Sequence, residues 1–514
     1  MMITPLDILS IESWLLIASI ALLIRYYLNR KWSYFEKLNI PYDPPSFFKL
    51  GSLLTAFSKD KAFEYDNDCK KKYGNIWGVF VGVSPSLTIH DPDILRQIFI
   101  KEFQTFPDRQ KNLLKINGKE LNNGLTAVQG NQWKRIRTTM TPTFSTSKLK
   151  QMCGIIEWCA GNTVDALNRK VESNNGVFNS KEIFSRLSLD IVCSAAFSTK
   201  IHSQDDRVEE PEAAKNAKKL FSGTIFSPLI ILLLIFPSLE KIVLKFNIAL
   251  FGSGGLEYFK KLTHHLIKQR EENPHEHTRV DLMQLMLDAR VSEEKIKEGA
   301  EKGMTNIEIV GNSILMILAG YENTGNTMSW TAYNLAQHPE IQVKVQEEID
   351  EMMKVQGKFD YESVTKLKLL DMCINETLRL YMPILKNARF CEKEITINGL
   401  TIPKGIPINV PTFGLAHDPE YWDEPYEFKP ERMRDMSQID PMVYQPFGAG
   451  PRNCIGMRFA LMEIKMSLAK LLHKFTFKPA ENTPAPPLKL KFGISVRSEV
   501  DFNLIAIPRD SVAT

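Results

Sequence analysis

The chain has 514 residues, 44% hydrophobic and 24% charged, an ordinary globular balance that excludes a disordered or collagen-like polymer. Its formal net charge of +4 is too small to argue for a nucleic-acid partner. Seven cysteines, odd in number and without a C-x-x-C pair, exclude a disulfide scaffold and a zinc ribbon and suit a reducing compartment.

Near the N-terminus, Trp14 to Ile24 is almost wholly apolar, and Leu6, Ile8, Leu9 and Ile11 extend it outward past Asp7 and Glu12. A spanning helix needs ~20 mostly apolar residues. Arg25, Arg30 and Lys31 follow, and basic residues favour leaving their side in the cytosol. Neither a positive charge before the run nor a small-residue cleavage site is present, so an uncleaved anchor is expected. Ile40-Pro41-Tyr42-Asp43-Pro44-Pro45 fixes φ at three positions and predicts a stiff hinge. The expected organisation is an anchor over 1–28, a linker and hinge over 29–50, and one large catalytic domain over 51–514.

Strand-like segments run from Ile76 to Val83 and Leu87 to Ile89, with Ser84-Pro85 read as the turn. Ile225 to Phe236 is apolar but too short to span a bilayer, leaving a buried segment or a second, interfacial membrane contact as readings. Gly252-Ser253-Gly254-Gly255 reads as a turn or loop, not a dinucleotide fingerprint. His264, His265, His275 and His277 lie among charged residues with no metal-ligand spacing. The charged stretch Ser292 to Gly303 reads as a solvated connector. Thr305 and Glu308 form a capping box, and no proline follows until His338-Pro339. This predicts a helix ending at Gln337, on the order of 50 Å long at 1.5 Å per residue. Asn398-Gly399 between β-branched alternations predicts a hairpin over Ile395 to Ile402.

The segment that carries chemistry is Phe447-Gly448-Ala449-Gly450-Pro451-Arg452-Asn453-Cys454-Ile455-Gly456. Its glycines and proline allow a tight turn that presents one cysteine. The helical pattern Met457 to Leu472 follows, so the sulfur is expected near a helix N-terminus, where the dipole and free N–H groups favour thiolate. Arg452 can meet a carboxylate and Phe447 can shield the sulfur. A soft thiolate, a cation and an apolar wall suit haem.

This frame resembles the cysteine loop of the cytochrome P-450 family, and other segments resemble it in the same order. The resemblance implies a mainly helical α+β fold with small sheets and a single haem domain behind the anchor. It implies haem b as cofactor, with Cys454 as the metal ligand. Trp133 and Arg137, in a Trp-x-x-x-Arg frame, and Lys386 are implied as propionate contacts, alongside Phe447 and Arg452 in the haem site. Glu376 and Arg379, with Arg432 of Phe428-Lys429-Pro430-Glu431-Arg432, are implied as a buried structural triad. Ala319-Gly320-Tyr321-Glu322-Asn323-Thr324 resembles the stretch where the long helix passes over the iron. There Gly320 allows local opening, and Glu322, Asn323 and Thr324 are the implied catalytic residues. Here the sequence departs from the family, because Asn323 stands where a threonine is usual. Asn hydrogen-bonds but is no hydroxyl relay, and Thr324 is turned ~100° around the helix.

Details such as Pro142-Thr143-Phe144-Ser145 and Ile402-Pro403-Lys404-Gly405 resemble the drug- and xenobiotic-metabolising group. The implied activity is insertion of one atom of O₂ into an apolar substrate, at the endoplasmic reticulum membrane with the catalytic domain cytosolic. Without a nucleotide fingerprint in the sequence, electrons from NADPH are expected through an NADPH-cytochrome reductase, with cytochrome b5 as a further partner. Lys134, Arg135 and Arg458 are the expected docking cations. Lys101 to Gly130, Phe221 to Phe236, Ile309 to Tyr321 and Pro383 to Phe390 are the expected pocket segments. The alternatives are a haem-thiolate isomerase or dehydratase acting on peroxides, or a catalytically silent haem-binding protein.

Overall fold

The computed structural model describes residues 11–53, 62–109, 118–221, 228–239, 242, 253–273, 281–493 and 495–509. The first ten residues and His275 and His277 lie outside that set.

Helix α1 (Ile11–Trp32) is about 33 Å long at 1.5 Å per residue, enough to cross a bilayer. It is apolar and bare, with Leu15, Leu16, Leu22 and Leu23 all more than 60% exposed, which water alone would not tolerate as a contiguous stripe. Trp32 at its end donates an indole hydrogen bond to Gly82 O at 3.1 Å. The proline segment that follows is extended, as its prolines require, but it is not a free linker. Gly78 N donates to Pro41 O at 2.8 Å and Asp43 N to Gly78 O at 2.9 Å. Phe35 is fully buried against Tyr42 and Phe80. The globular body therefore begins within a few residues of Trp32.

Strands β1 (Ile76–Val81) and β2 (Ser84–Ile89) pair antiparallel, with Val81 opposite Ser84 and Phe80 opposite Pro85. The turn is thus Gly82-Val83, not Ser84-Pro85. Gly82 takes φ +63, the left-handed conformation glycine adopts freely. Pro85 is tolerated because the next strand in the sheet pairs with β2 only at Leu87 and Thr88, leaving its missing N–H unneeded.

Helices α2 (Gly130–Met140), α3 (Thr146–Asn174) and α4 (Ser180–Phe197) follow, with the short strand β3 (Val177–Asn179) between the last two. Helix α5 (Pro228–Ile235) is neither wholly core nor wholly free: Leu233 and Leu234 are buried while Leu232 and Phe236 are exposed. Leu234 O accepts from Val83 N at 3.3 Å, so the β1–β2 turn holds both α5 and the end of α1. Helix α6 begins at Ser253 (Ser253–Glu272), so Ser253-Gly254-Gly255 opens a helix rather than forming a loop. At Gly255 a Cβ would lie 2.5 Å from Asn216 O, which explains the small residue. His264 and His265 lie on this helix, and no group of metal-ligating side chains occurs among the described residues.

The long helix α7 runs Asn306–Gln337, with Thr305 N donating to Glu308 at 2.8 Å as the capping box predicts. It crosses the body and is buried along most of its length, packing on α4. Gly320 and Gly325 permit the close approach: a Cβ would lie 2.6 Å from Val192 Cγ2 at the first and 2.8 Å from Ser185 Cα at the second. The helix is unbroken through Gly320, and that glycine's space is taken by α4 rather than by an opening.

Helix α8 (Lys368–Leu380) carries Glu376 and Arg379, both fully buried. Arg379 Nε and Nη2 reach the two Glu376 oxygens at 2.8 Å each, and Arg432 Nε completes the triad at 3.3 Å. Strands β4 (Asn387–Phe390), β5 (Ile395–Ile397), β6 (Leu400–Ile402) and β7 (Pro407–Val410) supply the hairpin β5–β6. They also complete a sheet of order β1-β2-β7-β4. Asn398 and Gly399 have φ +49 and +82, the two positive values a two-residue hairpin turn requires. Helix α9 (Met457–Lys474) ends in β8 (Phe475–Pro479), which pairs with the last strand, Asn503–Pro508.

Candidate active site

The cysteine loop is built by backbone constraints. Gly448 and Gly450 have φ +71 and +69, where a side chain is strained. A Cβ on Gly450 would also lie 2.2 Å from Phe99 O, so the loop rests directly on the neighbouring backbone. Cys454 N donates to Phe447 O at 2.8 Å and Asn453 N to Gly450 O at 3.0 Å, closing the turn. Gly456 is the cap of α9. Six cysteines are buried; Cys454 alone of the seven opens to accessible space. Burial deep in the molecule raises its pKa, and the Gly456 and Met457 N–H groups with Arg109 and Arg137 oppose that rise without cancelling it. Hydrogen bonds and cations of this kind favour the thiolate.

The thiol opens into a cavity of about 570 Å³. The cysteine loop and the start of α9 form one side, with Phe447, Cys454 and Phe459; α7 forms the other, with Ala319, Gly320, Asn323, Thr324 and Thr327. Three of the four expected pocket segments contribute, through Leu125 and Thr126, Leu315 and Met316, and Ile384 and Ala388. Phe221 to Phe236 contributes none among its described side chains.

Cations gather at one edge. Arg137 Nη1 and Nη2 hold Asn453 O and Oδ1 at 2.9 and 2.8 Å, fixing the residue before the cysteine. Arg452 lies over the Trp133 ring at 4.3 Å. It ion-pairs with Asp108 and donates to Pro107 O and Val128 O at 2.6 and 3.1 Å. Sequence reasoning missed Arg109 and Arg389, which follow no local motif. Arg109 donates to Arg452 O at 3.1 Å. Arg389 is fully buried over the Phe99 ring at 4.2 Å. The Nε of each is buried without a protein partner. Burial and mutual repulsion lower the pKa of Arg389 well below its ordinary value and that of Arg452 to about 10. Arg109, Arg137 and Arg452 thus line one edge of the cavity, with Arg389 buried behind them, and Asp108 is the acid that pairs there, an arrangement that needs further negative charge to be comfortable. A flat group carrying two carboxylates and a thiolate-seeking iron fits this edge and this cysteine, as haem does. Lys386 borders the cavity but is ion-paired to Asp66 at 2.7 Å.

On the α7 side, Asn323 faces the cavity and its Oδ1 is buried without a protein partner. Thr324 borders the same space, so the ~100° rotation between successive residues does not carry it out of reach. Glu322 is not in the cavity wall; it is buried and pairs with Arg497 at 2.6 Å. Burial raises its pKa against the pull of Arg497 and Lys181. The expected surface cation Arg135 is instead buried, gripping Glu308 at 2.6 Å and Gly303 O at 2.5 Å. Trp133 and Arg137 face the cavity, so Arg135 lies on the opposite face of α2, and that face packs on the start of α7. Lys134 and Arg458 are exposed.

A family model described as Cytochrome P450 matches residues 41–502. The chain is 37% identical to cytochrome P450 3A11 of Mus musculus over 511 residues, 98% of each chain. It is 38% identical to cytochrome P450 3A2 of Rattus norvegicus over 99% of each and 36% identical to cytochrome P450 3A5 of Homo sapiens over 94% of each.

Proposed function

The chain belongs to the cytochrome P450 family and is a haem-thiolate monooxygenase with haem b as its cofactor, and we propose that it oxygenates an apolar substrate at the endoplasmic reticulum membrane with electrons from NADPH delivered by a partner reductase. The observation that carries this reading is Cys454, the one accessible thiol, facing Asn323 and Thr324 across a mostly apolar cavity edged with arginine. In this reading Cys454 would supply the thiolate to the iron. Trp133, Arg137, Arg452 and Phe447 would hold the haem; Arg109, which lines the cavity with an unpartnered Nε, would take a share of the propionate charge assigned to Lys386 by resemblance.

The haem supplies a redox-active iron whose thiolate ligand pushes electron density toward oxygen–oxygen cleavage. The protein's part is binding, orientation and proton handling. Apolar walls at Leu315, Met316 and Ile384 favour an apolar substrate and exclude water. Asn323 offers a free acceptor to a water or a hydroxyl in the cavity, and its amide N–H₂ donates. Thr324 supplies the hydroxyl one position on. Glu322 lies behind the helix, paired with Arg497, and reaches the cavity only by moving away from it.

Helix α1 anchors the chain. The exposed Phe47, Phe48, Leu232 and Phe236 sit on segments tied to the same Gly82-Val83 turn as the end of α1. This supports α5 as a second contact with the bilayer surface. Exposed Lys134 and Arg458 support docking of an acidic reductase on the cysteine side, with cytochrome b5 as a second donor. The test is reconstitution with a reductase and an apolar substrate that shifts the haem spectrum. NADPH-dependent O₂ uptake with product is expected; product without either, from a peroxide, establishes the isomerase chemistry instead.

A further inference from the structure

Behind the cavity, α9 carries a second acid that the reaction as described does not use. Glu463 is fully buried and borders the cavity on the side of Phe459 and Ala460. Its Oε1 lies 2.7 Å from Ser188 Oγ on α4, and the same Ser188 Oγ lies 2.8 Å from the Gly320 carbonyl on α7. A serine hydroxyl has one proton to give. Between a carbonyl and a carboxylate it faces two acceptors, and one of the two contacts would lack a hydrogen. The arrangement is satisfied only when Glu463 itself carries a proton.

We propose that Glu463 is a protonated positioning residue whose carboxyl donates to Ser188, so that Ser188 donates to the Gly320 carbonyl and fixes the long helix where it borders the cavity beside Asn323 and Thr324. When Glu463 gives its proton to solvent base, the carboxylate claims the Ser188 proton, and Gly320 O loses this donor while keeping its helical bond. Gly320 is already clamped, with Val192 filling the space of a side chain, so the serine decides the last polar contact of that junction.

The surroundings agree. Burial pushes the Glu463 pKa up to about 8, and Ser188 is the group that pulls against it. Cys159 on α3 is a further titratable group near Glu463 and feels both its charge and that of Asp190 on α4; burial raises the pKa of all three. Among the other titratable side chains of α9, Lys465 pairs with Asp371, Lys470 with Glu157 and His473 with Asp350, Arg458 bonds Thr146 and Tyr361, and Lys474 is exposed. Glu463 Oε2 and Ser467 Oγ, one turn apart, are both buried without a protein partner, and could share one bound water.

The test uses the full haem-loaded chain, read by infrared spectroscopy across roughly pH 6 to 9, which brackets the raised value. The wild type is expected to lose a protonated-carboxyl band with a midpoint near 8 that Glu463→Gln lacks. Removing Ser188 as Ser188→Ala should move that midpoint upward. Stability gives an activity-free second readout. An acid with a raised folded pKa stabilises fully below its unfolded value, and that stability is lost as pH rises through the folded value. The wild-type melting temperature should therefore fall over this window. Glu463→Gln, whose amide still donates to Ser188, should fold and lose this part of the fall. Should Glu463 titrate in the ordinary carboxylate range, or should Glu463→Gln keep the full wild-type slope, the proposal is overturned. Neither readout depends on turnover, so failure of the oxygenase reading is distinguishable from failure of this one.

Discussion

The two sides of the cavity are built on different principles. The cysteine side is fixed by backbone: Gly450 against Phe99 O, Cys454 N on Phe447 O, and Arg137 gripping both oxygens of Asn453. The α7 side is a regular helix whose chemistry depends on which residues its turn presents. There Asn323 has an unpartnered oxygen, Thr324 sits beside it, and Glu322 is turned to Arg497. The first side is built to hold a group in one place; the second leaves room for substitution without loss of fold, and it is there that Asn323 stands apart from the pattern the sequence otherwise resembles.

The largest expected effect lies in the support of the cysteine side. Glu376→Ala leaves Arg379 buried and unpaired and should cost about 3–5 kcal/mol, read as loss of folded, haem-loaded protein in thermal melts. Glu376→Asp should recover part of it. A stable, haem-loaded Glu376→Ala protein contradicts the structural role of the triad.

The next effect concerns the arginine edge. Arg109→Ala should weaken haem retention by about tenfold or more, the worth of one hydrogen bond to a charged group, measured as transfer of haem to apomyoglobin. Lys386→Ala, whose ammonium is held by Asp66, should change it little. The reverse ranking restores Lys386 as the propionate cation.

On the α7 side, Asn323→Thr should raise product formed per NADPH severalfold and lower peroxide, an effect short of the ~100-fold that full general acid–base catalysis supplies. Thr324→Ala separates the two candidates: an unchanged ratio in Asn323→Thr with collapse in Thr324→Ala moves the relay to Thr324. The smallest effect is at the surface. Charge reversal at Lys134 and Arg458 should slow reduction a few-fold at low salt, and hardly at all at high salt, as exposed pairs do.

What could be read in the sequence follows the same division. Local rules govern the α7 cap at Thr305, the Asn398-Gly399 turn and the cysteine loop, where glycine and proline dictate the backbone. Each of these stands as expected in the structure. The Glu376–Arg379–Arg432 triad was legible only through resemblance, since an i, i+3 Glu–Arg pair is ordinarily a surface pair. Arg109, Arg389 and Glu463 lie in no motif; tertiary packing alone brings Asp108 to Arg452, Phe99 to Arg389 and Ser188 to Glu463. Arg135 shows the converse error. It sits between two cavity-facing residues and reads as solvent-exposed, yet α2 is buried on both faces because Glu308 waits behind it. The Gly82-Val83 turn was misplaced by giving proline priority over glycine, although the positive φ belongs to the glycine.

The central claim is that Cys454 is the thiolate on the iron. The direct measurement is the absorption spectrum of the reduced, CO-bound protein, for the wild type and for Cys454→Ala and Cys454→His. The account predicts the thiolate-ligated band of the family in the wild type, its loss in Cys454→Ala, and a histidine-type spectrum in Cys454→His. A thiolate band that survives in Cys454→Ala contradicts it.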